Sequence, residues 1–453
     1  MATPQATFLP LAASERIHSL DVLRGCVLLG ILMMNISDFG LSGAYEDPTV
    51  TGGAKGLNLF VWSTASLFFE GTMRGLFSIL FGVGMFVLTD RLQKRGAGIE
   101  TADIYFRRTL WLIFFGIVHS YLLLWHGEIL FAYGLFGLLL FSFRNMAPKR
   151  LTLIAVFLLL CGTIWNYADY RAAKQLTENV AISAQLKSAG RPLTPELVAA
   201  EKEWQERMEK RSPAAIEETN RNMRKGYFGV VKFLAPINLE LDRMYTFRYD
   251  LWDVFSMMLL GIALFKWKVL TAQRSYRFYL VLALIGYAVG LSINYYELRM
   301  VLDNDFSYVA MAKASITYEW GRLFTSLGHL AVIMLFCKVT WARWLKSTLA
   351  AVGKMALTNY LMQSVICMFI FTGVGFGLFG RLQRYELYYV VFAIWIFQMI
   401  VSPIWLRYFR FGPAEWVWRT LTYQKRQPFL KQKDTGQISD PEKLKSQEEP
   451  AYN

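Results

Sequence analysis

The chain has 453 residues, of which 55% are hydrophobic, 16% aromatic and only 18% charged, with a mean hydropathy of +0.31. That balance excludes an ordinary water-soluble domain and indicates a polytopic membrane protein. The formal charge of +14 does not indicate a nucleic-acid partner, because the Lys and Arg are spread between apolar runs, where the positive-inside rule places them.

The opening MATPQATFLPLAASERIH lacks the basic flank and apolar core of a cleaved signal peptide, so the first span is expected to stay as an anchor. That span, Ser19 to Gly40, reads SLDVLRGCVLLGILMMNISDFG and carries Asp21, Arg24 and Asn35. A charged residue near the centre of a spanning helix costs ~2.5 to 3.5 kcal/mol, so such residues usually face a protein interior or a watery cavity. At about 100° per residue the three fall within an arc of roughly 60°. The pattern predicts one inward polar stripe, with Leu and Val turned to lipid. For Asp21 and Arg24 the plain alternative is an i,i+3 pair that anchors the helix at the interface. Asn35 lies three turns deeper.

Apolar runs of spanning length predict an all-α fold of ten spans, near 19–39, 58–88, 109–125, 128–143, 151–170, 249–267, 277–295, 321–338, 350–372 and 386–406. The second run is too long for one straight span and is interrupted by Glu70, Gly71 and Arg74, which predicts a broken helix or an interfacial helix leading into a span. Within it Gly75, Gly82 and Gly84 read as close helix packing rather than phosphate binding. Alternate loops carry Arg91, Lys94, Arg95, Arg107 and Arg108, then Arg144, Lys149 and Arg150, then Lys266, Lys268 and Arg274, then Lys338, Arg343 and Lys346. The other loops carry Glu46 and Asp47, then Glu297, Asp303 and Asp305. This sorting places both termini in the cytoplasm.

Four regions follow: an N-terminal bundle with the site over 15–170, an extracytoplasmic helical insertion over 171–245, a C-terminal membrane region with an interfacial helix over 246–428, and a disordered tail over 429–453. Cys26, Cys161, Cys337 and Cys367 sit in apolar runs without CxxC or Cys/His spacing. They read as packing residues, and neither a disulfide framework nor a metal site is expected.

The polar residues inside the spans can be weighed one by one. His119 lies in the third span, and His126, Gly127 and Glu128 form the turn after it. His119 and Glu128 can serve as a base and its orienting acid, although a histidine bonded to a backbone carbonyl in a packed helix is the commoner arrangement. His329 has no acidic neighbour in sequence and reads as structural. Asn359 and Gln363 share a helical face, either to bind a substrate or to bond a neighbouring helix.

SLDVLRGCVLLGILMMNI, FSILFGVGMFVL, GIVHSYLLLWHGEILFAYGLFGLLL, LWDVFSMMLLGIAL, GKMALTNYLMQS and FGPAEWVWRTLTY, in this order over about residues 15–428, resemble the YeiB-like family of bacterial membrane proteins. That family is similar in turn to the transmembrane acyltransferase superfamily, which includes heparan-alpha-glucosaminide N-acetyltransferase and the bacterial sugar O-acyltransferases. The resemblance implies an enzyme of the bacterial inner membrane that takes an acyl group from cytoplasmic acyl-CoA, such as acetyl-CoA, without a metal. The acceptor would be a small molecule or glycan reached from the other side, with membrane lipid around the protein and a homodimer left open. The superfamily's opening motif, an acidic residue, then Arg, then His or Asn, falls on Asp21, Arg24 and Asn35. The sugar O-acyltransferases have a His at the last position. The glucosaminide branch has Asn there and a His in the following loop, whereas ISDFGLSGAYEDPT has none. The base must then come from elsewhere, with His119 first and Glu128 or His126 next. On this reading His119 is the base, Glu128 orients it, Asn35 donates to the oxyanion, and Arg24, held by Asp21, attracts the CoA phosphates. His126, Asn359 and Gln363 are candidates for holding the acceptor. The competing classes are a carrier or channel for a lipid or small polar molecule, and a membrane assembly subunit.

Overall fold

The computed structural model describes residues 17–43 and 47–431, and among them every regular element is helical. The expected disordered tail falls almost wholly outside the described residues, as does Glu46. The first half runs α1 (His18–Gly40), α2 (Gly56–Phe68), α3 (Thr72–Lys94), α4 (Glu100–Tyr121), α5 (Leu130–Leu140) and α6 (Pro148–Ser188). The insertion supplies α7 (Pro195–Lys210), α8 (Pro213–Met223) and α9 (Tyr227–Tyr245). The second half runs α10 (Val254–Lys266), α11 (Tyr276–Leu302), α12 (Tyr308–Ala314), α13 (Tyr318–Lys338), α14 (Arg343–Lys354), α15 (Ala356–Phe371), α16 (Arg384–Tyr408) and α17 (Pro413–Tyr423).

Six stretches are long and apolar enough to cross a membrane: His18–Gly40, Gly56–Lys94, Pro148–Ser188, Tyr276–Leu302, Tyr308–Lys338 and Arg384–Tyr408. A seventh is added if α14 and α15, bent by 79° where they meet, count as one span. The expected count of ten is larger because it includes runs that fold as α4, α5 and α10. The last two have 11 and 13 residues, short of the ~17 that a straight crossing needs.

α1 is the hub. Val22, Leu23, Val27, Leu28, Leu32 and Ile36 are wholly buried, and the helix packs on α3, α13, α14, α15 and α16. The expectation that its Leu and Val face lipid is therefore corrected, since helices from the second half, together with α3, pack around it. Lipid-facing apolar residues lie instead on α6 (Leu153, Phe157, Ile164), α11 (Leu284, Ile285) and α16 (Phe392, Ile396, Ile400), all largely exposed.

Glycines set the closest crossings. A methyl on Gly25 of α1 would lie 2.0 Å from the Leu349 carbonyl oxygen, and one on Gly353 of α14 would lie 2.0 Å from that of Asp21. Gly82 of α3 and Gly261 of α10 repeat this, at 2.1 and 2.2 Å from Met258 and Ile79 carbonyl oxygens. The packing role expected for Gly82 thus holds, whereas Gly84 has nothing within 4 Å.

The second span is broken between Phe68 and Thr72, as its interruption predicts. Gly71 turns there with φ +66°, a conformation that favours glycine. Three carbonyls near the break find side-chain donors: Leu67 from Asn294 Nδ2 at 2.7 Å, Phe68 from His329 Nε2 at 2.8 Å and Thr72 from Ser326 Oγ at 3.0 Å. With Tyr287 on its Nδ1 at 2.8 Å, His329 is structural.

α6 has 41 residues, ~60 Å at 1.5 Å per residue and about twice the hydrocarbon thickness. Its far end and α7 to α9 form a helical cap over one end of the bundle. The cap is tied down by Arg211 to Asp47 at 2.9 Å, Arg224 Nε to the Phe379 carbonyl at 2.7 Å, and Asn238 Nδ2 to the Ser120 carbonyl at 2.9 Å. The opposite end is basic.

Candidate functional site

A cavity of about 260 Å³ opens at the basic end, between α1, α3, α4, α5, the α14–α15 junction and α17. α17 forms one wall because two arginines of α4 hold it. Arg107 Nε donates to the Thr422 carbonyl at 3.0 Å. The Arg108 guanidinium lies 3.6 Å from the centre of the Trp418 ring, and Trp418 Nε1 donates to the Arg108 carbonyl at 2.9 Å. Glu415 of α17 accepts from the Leu357 and Thr358 N–H groups at 2.6 and 3.1 Å, and from Thr358 Oγ1 at 2.5 Å. It thereby caps the N-terminus of α15, where unpaired N–H groups and the helix dipole favour a carboxylate. Burial raises the Glu415 carboxyl above its ordinary value of 4.5, while its hydrogen bonds with Thr358 pull it back.

Charge is distributed unevenly around the cavity. Arg24, Arg91, Arg108, Lys354 and Arg419 line it, against the two carboxylates Asp21 and Glu415. Asp21 is matched to Arg24 at 3.1 Å, and Lys354 makes no ion pair among the described residues. Deeper in, the wall is apolar: Phe77, Leu80, Phe81, Leu112 and Leu130, with Tyr133 and Tyr360. Gly84 faces this space and is exposed to it. A surplus of cations at the rim of an apolar pocket concentrates anions there, more strongly than the same charges would in open water.

The sequence-derived candidates separate. Asp21 and Arg24 line the cavity. His119 is wholly buried, one ring behind the wall, its ring centre 4.8 Å from that of Tyr360 in an edge-to-face contact. Its Nε2 meets Ser364 Oγ at 2.7 Å and its Nδ1 has no hydrogen-bond partner. The expected pairing with Glu128 is not formed: Glu128 Oε1 accepts from the Phe131 N–H at 2.7 Å and turns the chain into α5. His126 instead faces Asp38, at 3.5 Å, toward the capped end. Asn35 lies on α1 one turn before Phe39, whose ring stacks on Trp125 at 3.7 Å, and Trp125 lies beside Tyr360. Asn359 and Gln363 are not in the cavity. Asn359 Nδ2 donates to the Val352 carbonyl and Ser402 Oγ at 3.1 and 3.0 Å, and Gln363 Nε2 donates to Gln398 Oε1 at 3.0 Å. Their amides bond α15 to α16, which removes them as candidates for holding an acceptor.

Sequence reading missed Arg91 and Arg108, counted only as loop charges, and Lys354, Arg419, Tyr360, Ser364 and Asp38. Nothing local marks them, because six segments meet at the cavity.

Residues 264–425 match the model of a family described as protein of unknown function, DUF418. The uncharacterised protein YeiB of Escherichia coli (strain K12) is 32% identical over 420 residues, covering 92% of this chain and 98% of the relative. The uncharacterised protein YxaH of Bacillus subtilis (strain 168) is 30% identical over 432 residues, covering 93% and 98%. No solved structure matches.

Proposed function

The chain belongs to the YeiB-like family, and from its own cavity we propose that it is a membrane-embedded acyltransferase using cytoplasmic acyl-CoA. It passes the acyl group to an acceptor hydroxyl or amine reached from the capped side of the bacterial inner membrane, with both termini cytoplasmic. The observation that carries this reading is the join of five cations at the rim to an apolar interior. An acyl-CoA has the complementary form, phosphates at one end and an acyl group at the other.

His119 is the base in this reading. Ser364 holds Nε2 and the unbonded Nδ1 takes the acceptor proton. The acceptor oxygen or nitrogen then bonds to the thioester carbonyl carbon, whose π pair moves onto oxygen, where the Asn35 amide donates to it. Collapse reforms the carbonyl and breaks the C–S bond, and the departing CoA sulfur takes the proton from His119. Arg24, oriented by Asp21, holds phosphate with Lys354 and Arg108.

A carrier for an anionic amphiphile is the second reading. It is favoured by the 79° break between α14 and α15, whose junction residues Gly353, Lys354, Ala356 and Leu357 line the cavity, as discontinuous helices do in transporters. The test is to add acetyl-CoA and longer acyl-CoAs to the purified protein and measure thermal shift and release of free CoA, beside Asn35→Ala and His119→Ala. Binding with slow release that both variants diminish supports the enzyme. Binding without release favours the carrier, and no binding refutes both.

A further inference from the structure

The cavity changes character along α3. Arg91 stands at its rim, and Gly84, Phe81, Leu80 and Phe77 follow inward, a path of roughly 20 Å at 1.5 Å per residue. Past the cations the wall presents almost only hydrocarbon. The polar group among these inner residues with a hydroxyl on α5, Tyr133, is already engaged: it meets Ser78 Oγ at 2.8 Å and donates to the Arg74 carbonyl at 3.2 Å. The hydroxyl of Tyr360 is buried away from the cavity surface. A ligand segment carrying amides or hydroxyls would leave them without partners there, at a cost that a hydrocarbon chain does not incur. Gly84 widens the space at mid-depth, with no atom within 4 Å of a methyl placed on it, although the turns of α3 on either side present Leu80, Phe81, Val87 and Leu88 to the same space.

We infer that the inner cavity seats an unbranched hydrocarbon chain longer than an acetyl group, attached to an anionic head held by Arg24, Arg91, Arg108, Lys354 and Arg419, and that Gly84 sets the chain length. This rests on the acyl-transfer reading only for the identity of the head. A fatty acyl-CoA and a single-chain anionic lipid share the chemistry, and the experiment separates them.

Protein in lipid nanodiscs is titrated with CoA, with acetyl-CoA through palmitoyl-CoA, and with lysophosphatidic acids of matching chain lengths, using the wild type, Gly84→Ala and Gly84→Phe. Affinity should rise with chain length by up to ~4-fold per methylene until the cavity is filled. Gly84→Phe should stop this rise at a shorter chain while leaving the affinity for CoA itself within about twofold, because the rim is untouched; Gly84→Ala should fall between. A rise in the CoA series identifies a fatty acyl-CoA. A rise confined to the lysolipids, with CoA and all its esters unbound, keeps the hydrocarbon seat and ends the acyl-CoA reading. Acetyl-CoA binding as tightly as the longest esters, an unshifted series in Gly84→Phe, or no binding in either series overturns the inference.

Discussion

Gly353→Ala tests whether α1 and α14 cross backbone to backbone beside the cavity. The new methyl would lie 2.0 Å from the Asp21 carbonyl oxygen. Ordinary contact begins at 3.4 Å, so the helices must part by about 1.4 Å, and a main-chain atom in a close-packed interior cannot rotate away. Overpacking of this kind costs ~1 to 3 kcal/mol, with a backbone clash at the upper end. Replacing a helical glycine by alanine returns up to ~1 kcal/mol. The net is a loss of about 2 kcal/mol, or a fall in Tm of roughly 2 °C for a chain of this length. Gly84→Ala is the matched control: the methyl meets nothing within 4 Å, so only the helix-propensity gain remains and Tm should hold or rise. Tryptophan fluorescence during thermal unfolding reads both. In the double variant Gly25→Ala with Gly353→Ala the losses should sum to less than the two singles, because one parting makes room for both methyls. A Tm for Gly353→Ala equal to or above that of Gly84→Ala would refute the crossing.

Arg108→Gln removes a rim cation that also stacks on Trp418; acyl-CoA affinity should fall ~10- to 100-fold at low ionic strength, and by less as salt is raised, measured by titration calorimetry. His119→Ala should leave acyl-CoA binding intact and cut CoA release by ~10²- to 10⁴-fold, with Ser364→Ala intermediate and Glu128→Gln nearly neutral for release; full turnover in His119→Ala removes the proposed base. Burial raises the folded pKa of Glu415 above 4.5, so its carboxyl takes up a proton more readily in the fold than in the unfolded chain. Its contribution is fully present below pH 4.5 and is lost as pH rises through the folded value. Glu415→Gln should remove that decline, seen as the difference between the two Tm-versus-pH curves; superimposable slopes would exclude it.

What could be read from sequence was whatever one helix decides by itself. A glycine and two charges interrupting an over-long apolar run, and a polar insertion of helix formers, are local patterns with counterparts in the fold, while of the three polar residues on one arc of α1 only Asp21 and Arg24 line the cavity. The surroundings of α1 were not legible, because a helix apolar on every side looks the same whether lipid or protein covers it. Here α14, α15 and α16, more than 300 residues later, supply the cover. The cavity was hidden for a related reason. Arg91 and Arg108 obey the positive-inside pattern like any loop charge, and only tertiary packing aims them at one space with Lys354 and Arg419. Gly82 and Gly84 are two residues apart, yet one touches a backbone and the other faces the cavity. Periodicity identifies opposite sides of α3 but does not say which side is empty.

The two breaks in the membrane helices show how the fold separates support from site. A helix interrupted inside a membrane must satisfy the backbone groups it frees. At Gly71 side chains from α11 and α13 meet carbonyls of Leu67, Phe68 and Thr72, and Arg322, paired with Glu297 and 3.8 Å from Glu70, packs against the same turn. The break is thereby a fixed joint between α2 and α3. At Met355 the freed N–H groups are met by Glu415 from α17. Four residues around this second break line the cavity. A ligand at the rim therefore contacts the junction that orients α15, and α15 carries both Tyr360 and the Ser364 that holds His119. If the acyl-transfer reading holds, occupation of the rim and alignment of His119 should be coupled through α15, which the Glu415 cap and the amide network with α16 help to hold. On that reading Asn359 and Gln363, whose amides bond α15 to α16, would act as positioning residues. Replacing Gln398 with Leu, which frees Gln363 and one Asn359 carbonyl, should lower CoA release more than it lowers acyl-CoA affinity, and equal losses in the two would break the coupling argued for α15.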